Sequence, residues 1–225
     1  MPAADAHRRH NARMIDLYCE RVDAGLWAEP WNASTNLAFF VAALFAWQLA
    51  RSRDALWPGT RLLLVLMLAI GSGSFLFHTL ANRWAMLADV IPILLFQLAY
   101  LWIYSRRVIG HGRWGATAAV GGLLVLMLAS MPLLGYANGS PAYLPALLTL
   151  LLLGIVQYRH AHEGRGLLLL ASAVFVPSLA LRSVDLMACE QLAGGTHFGW
   201  HLLNGLVLYL AMRALILAAA SRRTR

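Results

Sequence analysis

The chain is built almost wholly of apolar runs, each close to the ~20 residues that cross the hydrocarbon core of a bilayer. Seven can be marked along the 225 residues, at about 35–50, 62–80, 85–104, 114–134, 142–158, 166–181 and 196–219. Inside lipid every backbone N–H and C=O must find its partner within the protein, and a run without a neighbouring strand does so as a helix. Charged residues make up 12% of the chain, about half the usual share of a soluble domain. The short connections leave no room for a soluble domain. The sequence therefore predicts an all-α integral membrane bundle of seven transmembrane helices. It reads as one domain over 1–225, with residues 1–33 as a polar segment packing on the outer face.

The net charge of +8 comes from arginine alone, because the chain has no lysine. That excludes a retinal Schiff base, which needs a lysine amine. Arg51, Arg53, Arg61, Arg106, Arg107, Arg113, Arg159, Arg165, Arg222, Arg223 and Arg225 fall in alternate loops and the C-terminal end. Arginine-rich loops stay cytoplasmic, so the N-terminus should lie outside and the C-terminus inside. The N-terminal arginines Arg8, Arg9, Arg13 and Arg21 oppose this orientation and are partly offset by Asp5, Asp16, Glu20, Asp23 and Glu29. No apolar region follows directly on the basic His7-Arg8-Arg9-His10 run, so the start does not read as a cleaved signal peptide. In a membrane chain the basic run is a solvated or headgroup-facing end, and no nucleic-acid partner is expected.

Against this apolar background a few polar residues stand out. Gly71–His78 and His197–His201 place three histidines inside apolar helices, and Asp89 is the only carboxylate deep in a span. Burying such groups is costly enough to call for a common reason. His78 lies near the outer end of the second span, Asp89 near the outer start of the third, and His197 and His201 in the first turns of the seventh. The topology thus brings three segments to one depth, toward the outer face. Residues four apart stack on one helix face, so His197 pairs with His201, and Ser74 with His78. A histidine pair at this spacing is the usual way for one helix to offer two imidazoles to zinc. Each residue alone has a plainer explanation. A membrane histidine often serves an interhelical hydrogen bond, and Ser74 extends a small-residue stretch that lets helices approach. Asp89 could cap the third helix or pair with Arg83. Together they predict a Zn²⁺ site of His78, His197 and His201 with an open position for water. Asp89 would act as proton carrier and Ser74 as donor to a developing oxyanion, in the hydrolysis of an amide. A site within the bilayer selects a lipid substrate, whose acyl chain can enter sideways.

These segments resemble the alkaline ceramidase family. That family belongs to a wider group of seven-span hydrolases with the adiponectin-receptor and hemolysin III-like proteins. The resemblance is clearest in Tyr18-Cys19-Glu20, Glu29-Pro30-Trp31-Asn32 with Thr35-Asn36, Gly71 through Asp89, and His197-x-x-Trp200-His201-x-x-x-Gly205. It implies zinc on His78, His197 and His201, with Ser74 and Asp89 in the active site. Ceramide or a ceramide-like lipid would be cut at its N-acyl amide bond into a fatty acid and a free amine. It also implies Ca²⁺ near the N-terminus, where Glu20 and Glu29 match and Asp16 and Asp23 are substitute ligands. Leu17 stands where an acid is expected, and Val22 where an asparagine is expected. Without calcium, Glu20 and Glu29 read as a capping or salt-bridge pair with Arg21. The resemblance further suggests a Cys19–Cys189 disulfide, both cysteines lying on the outer side; two free thiols are the alternative.

Three other readings remain open from sequence alone. A receptor or hemolysin III-like protein would use the same zinc on another lipid. A metal-stapled structural protein would fill the fourth position itself. An ion transporter would keep its site near the midplane, between repeats with broken helices, and no repeat is visible here. Residue usage suggests a bacterial gene, and hence an inner-membrane protein with its site toward the periplasm.

Overall fold

The computed structural model describes residues 14–159 and 163–221. The basic run at His7–His10, with Asp5 and Arg13, and the terminal Arg222, Arg223 and Arg225 lie outside the described residues. Seven helices are long and apolar enough to cross a membrane: α1 (Pro30–Ser52), α2 (Pro58–Leu80), α3 (Arg83–Ile109), α4 (Arg113–Leu133), α5 (Ala137–Arg159), α6 (Leu167–Val184) and α7 (His197–Ser221). There is no strand among the described residues. The protein is an all-helical integral membrane protein, as its apolar runs predict.

Several ends differ from the sequence reading, for local reasons. The first helix begins at Pro30 rather than near residue 35. Proline is pre-set for a first helical position, and the Glu20 carboxylate accepts the Trp31 and Asn32 backbone N–H groups at 2.6 and 2.8 Å. A remote side chain thus caps a helix end that lacks a local cap. Helix α3 starts at Arg83, where the Asn82 side chain accepts the Ala85 N–H at 3.0 Å. Asn82, and not Asp89, is the cap. A π-helical turn over Ser105–Ile109 carries α3 past its expected end.

Each span packs against its neighbours in sequence, and α7 closes the ring by packing on α1. Helices α2 and α7 are the most enclosed, each with more than half of its apolar window buried. These two interior helices carry all three histidines of interest. Helix α7 favours no single apolar face, as expected of an enclosed helix. The main core joins Phe39, Leu63, Met67, Tyr104, Met212 and Leu215.

Helices α2 and α3 meet most extensively, and Gly73 permits it. A Cβ at Gly73 would overlap the Ala88 carbonyl. The missing side chain draws together the two turns that carry Ser74 and Asp89. Between the helices Ala81 adopts a left-handed conformation (φ 44°) that reverses the chain. Its carbonyl accepts the Ile15 N–H at 2.7 Å, docking the N-terminal segment onto this turn.

Candidate metal centre

His78, His197 and His201 converge at one end of the bundle. Their candidate donor nitrogens all lie within 4.8 Å of one another, and all three residues are buried. Ring centroids are 5.3 Å apart for His78–His197, 4.8 Å for His78–His201 and 4.7 Å for His197–His201. Zinc–nitrogen bonds of about 2.0–2.1 Å ask the rings to close by less than about 1 Å.

Each imidazole is oriented by a different neighbour. The Glu29 carboxylate accepts the His78 Nδ1–H, with Nδ1 and Oε2 2.5 Å apart. Thr35 Oγ1 lies 3.0 Å from His201 Nδ1 and gives its own proton to the Trp31 carbonyl at 2.7 Å. Thr35 therefore accepts from His201, which places that ring's proton on Nδ1. In both rings Nε2 keeps its lone pair, the arrangement that metal-ligating histidines use. Tyr18 stacks on His197 with centroids 3.6 Å apart. His197 Nδ1 is buried without a partner, and such a nitrogen calls for one that the side chains do not supply. Three oriented imidazoles with no thiolate fit zinc or a similar divalent ion.

The end of α7 that carries two of these rings is itself held. Asp185, fully buried, accepts the Thr196 and His197 backbone N–H groups at 2.7 and 2.9 Å, and the Cys19 N–H at 2.9 Å. It thus caps α7 and ties it to the N-terminal segment. Gly195, at φ 61°, sits where a side chain would overlap Asp185. Cys19 and Cys189 are joined by a disulfide, with Cα atoms 5.5 Å apart.

Ser74 and Asp89 line the same small chamber as His197, His201, Tyr18, Tyr143 and Arg182. The Ser74 hydroxyl lies beside the Asp89 carboxyl, whose Oδ1 is buried and unpartnered. Arg182 follows directly on the apolar run at 166–181, where its charge looks like the end of a span. It is buried among the rings of Tyr18, Tyr143 and Trp200 and donates to the Tyr18 hydroxyl at 2.7 Å. Burial pushes the Tyr18 hydroxyl well above its ordinary range, and the Arg182 charge only partly counters this. Tyr18 is therefore a neutral hydrogen-bonding group.

Phe39, Ile70, Ile93, Tyr143 and Trp200 line both this chamber and an adjoining apolar cavity. The cavity runs toward Phe96, Ala146, Leu153 and Ala211 and has a volume of about 90 Å³. A polar chamber thus adjoins a slot lined mostly by apolar side chains.

Three of the four acidic residues assigned to calcium, Glu20, Glu29 and Asp23, are otherwise engaged. Both Glu20 oxygens cap α1. Glu29 accepts Arg21 through one oxygen, and His78 and Asn32 through the other. Asp23 Oδ1 accepts the Gly25 N–H at 2.6 Å, and Asp16 is exposed. Burial pushes the Glu29 carboxyl up, but the His78 and Asn32 donors and the Arg21 charge outweigh it and hold it below its usual range. Burial raises the Glu20 carboxyl, with the two N–H groups acting against it. Ca²⁺ needs six to eight oxygens. Leu17 and Val22 offer no side-chain oxygen, their apolar side chains being 39% and 83% exposed. The residues present do not fit calcium.

Fold and site together define a heptahelical membrane protein with a buried histidine cluster able to hold a metal ion, beside an apolar cavity. A family model described as Ceramidase matches residues 17–225. The chain belongs to the ceramidase family, and membership implies a ceramidase-type hydrolase with a lipid substrate. No curated protein matches it.

Proposed function

We propose that the protein is a zinc-dependent intramembrane amidase. It would hydrolyse the N-acyl amide bond of ceramide or a ceramide-like lipid to a fatty acid and a free amine. The observation that carries this reading is the meeting of two environments. Two of the three clustered imidazoles, His197 and His201, share a chamber with Ser74 and Asp89, and its apolar walls continue into the hydrocarbon-lined cavity.

His78, His197 and His201 would hold the zinc. When bound, the ion supplies a Lewis acid that acidifies water and polarises a carbonyl. The remaining work falls to this chain's own groups. The cavity takes the acyl chain and sets the amide at the chamber mouth. Asp89 accepts the proton of the attacking water and returns it to the leaving amine, whose departure breaks the C–N bond. Ser74 donates a hydrogen bond to the oxygen on which negative charge develops. Arg182, through Tyr18, keeps the ring that stacks on His197 in place.

The same reading treats residues 1–225 as one domain, with the polar N-terminal segment over the reactive end. That end faces the periplasm in a bacterial inner membrane, and the C-terminus lies inside, as the arginine-rich loops suggest. The test is direct. The full chain, purified in mild detergent, is analysed for zinc and incubated with ceramides and other N-acyl lipids. The expected result is about one zinc per chain and release of free fatty acid that stops on chelation and resumes on zinc addition. Zinc-loaded protein that releases no fatty acid from any N-acyl lipid defeats the proposal.

A further inference from the structure

The residues near the N-terminus do not fit calcium, yet they surround a cation. Arg21 is fully enclosed, its side chain only 1% exposed. Nε donates to Glu29 Oε1 at 2.5 Å. One terminal nitrogen donates to the carbonyls of Asp23 and Gly25 at 3.2 and 3.5 Å, with Met14 Sδ at 3.9 Å. The other donates to the His78 carbonyl at 2.9 Å. One carboxylate and three backbone carbonyls face it, a set of oxygens of the kind that hard cations take.

We propose that Arg21 is a built-in cation. Its guanidinium occupies the oxygen cage beside His78 where the family resemblance implies calcium, and it holds that part of the histidine cluster in register without a divalent ion.

Three segments meet on this one group: the Asp23–Gly25 turn, Glu29 just before α1, and the last turn of α2. A guanidinium suits the task because it is always charged and presents five donors in a fixed plane. The His78 carbonyl belongs to the C-terminal turn of α2, where free carbonyls give the helix its negative end and a cation is favoured. Arg21 thus reaches His78 twice. It holds the backbone directly, and it holds the ring through Glu29, whose other oxygen accepts the Nδ1 proton. It is a positioning residue, and it touches no substrate.

The link to His78 rests on the metal-centre reading, whereas calcium binding and thermal unfolding do not, so the two can fail separately. The first measurement uses the unmodified full chain. Equilibrium dialysis against radioactive calcium should find none retained at micromolar concentration, and the thermal midpoint should be the same in calcium-free and calcium-containing buffer. One calcium retained per chain, with a raised midpoint, overturns the proposal. The second uses Arg21→Gln and Arg21→Lys. Glutamine should lower the midpoint and weaken zinc binding about tenfold or more, the usual scale for a group that orients a ligand. Lysine, which keeps the charge, should recover part of both. A glutamine variant with unchanged midpoint and zinc affinity also overturns it. Should that variant fail to fold, the calcium measurement on the unmodified chain decides.

Discussion

Glu29 Oε2 and His78 Nδ1 lie 2.5 Å apart, both fully buried, although 49 residues separate them. Glu29 thereby settles which nitrogen of His78 faces the cluster, and Arg21 and Asn32 hold the carboxylate in turn. Breaking this link leaves the ligand in place but unoriented. Glu29→Gln should weaken zinc binding by about 10- to 100-fold. Competition with a zinc-binding dye measures it, and any hydrolysis lost should return when zinc is supplied in excess.

Asp89 is the counter-case, a chamber residue outside the histidine set. Asp89→Asn should bind zinc as tightly as the unmodified chain while hydrolysis falls by about 10²- to 10⁴-fold. Metal content and fatty-acid release, measured on the same preparation, separate the two effects. An unchanged rate removes Asp89 from the chemistry.

Gly73 brings α2 against α3 with no space for a methyl group. Gly73→Ala should cost about 1–3 kcal/mol through forced backbone movement and should disturb the Ser74–Asp89 pair. At Gly121 and Gly122 a methyl group would stand in open space, so alanine there should be neutral or stabilising by up to about 1 kcal/mol. Thermal unfolding of the three variants in one detergent gives the comparison.

Ala146 lines the cavity beyond the chamber. Ala146→Phe should shorten the slot and favour shorter acyl chains. Each buried methylene is worth about 0.8 kcal/mol, so discrimination should grow about tenfold for every two methylenes displaced. Competition between N-acyl lipids of graded length reads it. An equal loss for every length would separate the cavity from acyl binding.

The Cys19–Cys189 bond spans 170 residues and lies beside the Asp185 cap of α7. Replacing both cysteines with serine should cost about 2–5 kcal/mol. Thermal unfolding measures the loss, and non-reducing mass mapping should recover the linked peptides from the native protein.

The seven helices are legible because the lipid requirement acts on every residue of a span and leaves a long, uniform signal. The histidine pair on α7 is legible for a similar reason, since a four-residue spacing is a local pattern. What escapes is pairing across the chain. Glu29 lies just before an apolar run and carries no mark that it serves a ring on the next helix. Thr35 holds His201 across 166 residues, and Asp185 caps a helix that begins twelve residues later. Arg182 sits at the frayed edge of an apolar run, where its charge marks the end of a span more readily than a position inside it. Arg21, in a polar leader, looks like any solvated arginine. Its enclosure exists only because three separate stretches fold over it.

The closure of α7 on α1 has a consequence for biosynthesis. Two of the groups that aim the imidazoles, Tyr18 and Thr35, leave the ribosome long before the rings they serve, His197 and His201 on α7. A nascent chain therefore holds these two groups through six membrane insertions before those rings exist, whereas Glu29 meets His78 as soon as α2 is in place. The cluster is completed in a single late event, when α7 enters the gap left for it, so a chain stopped short of that helix has one ring of the three.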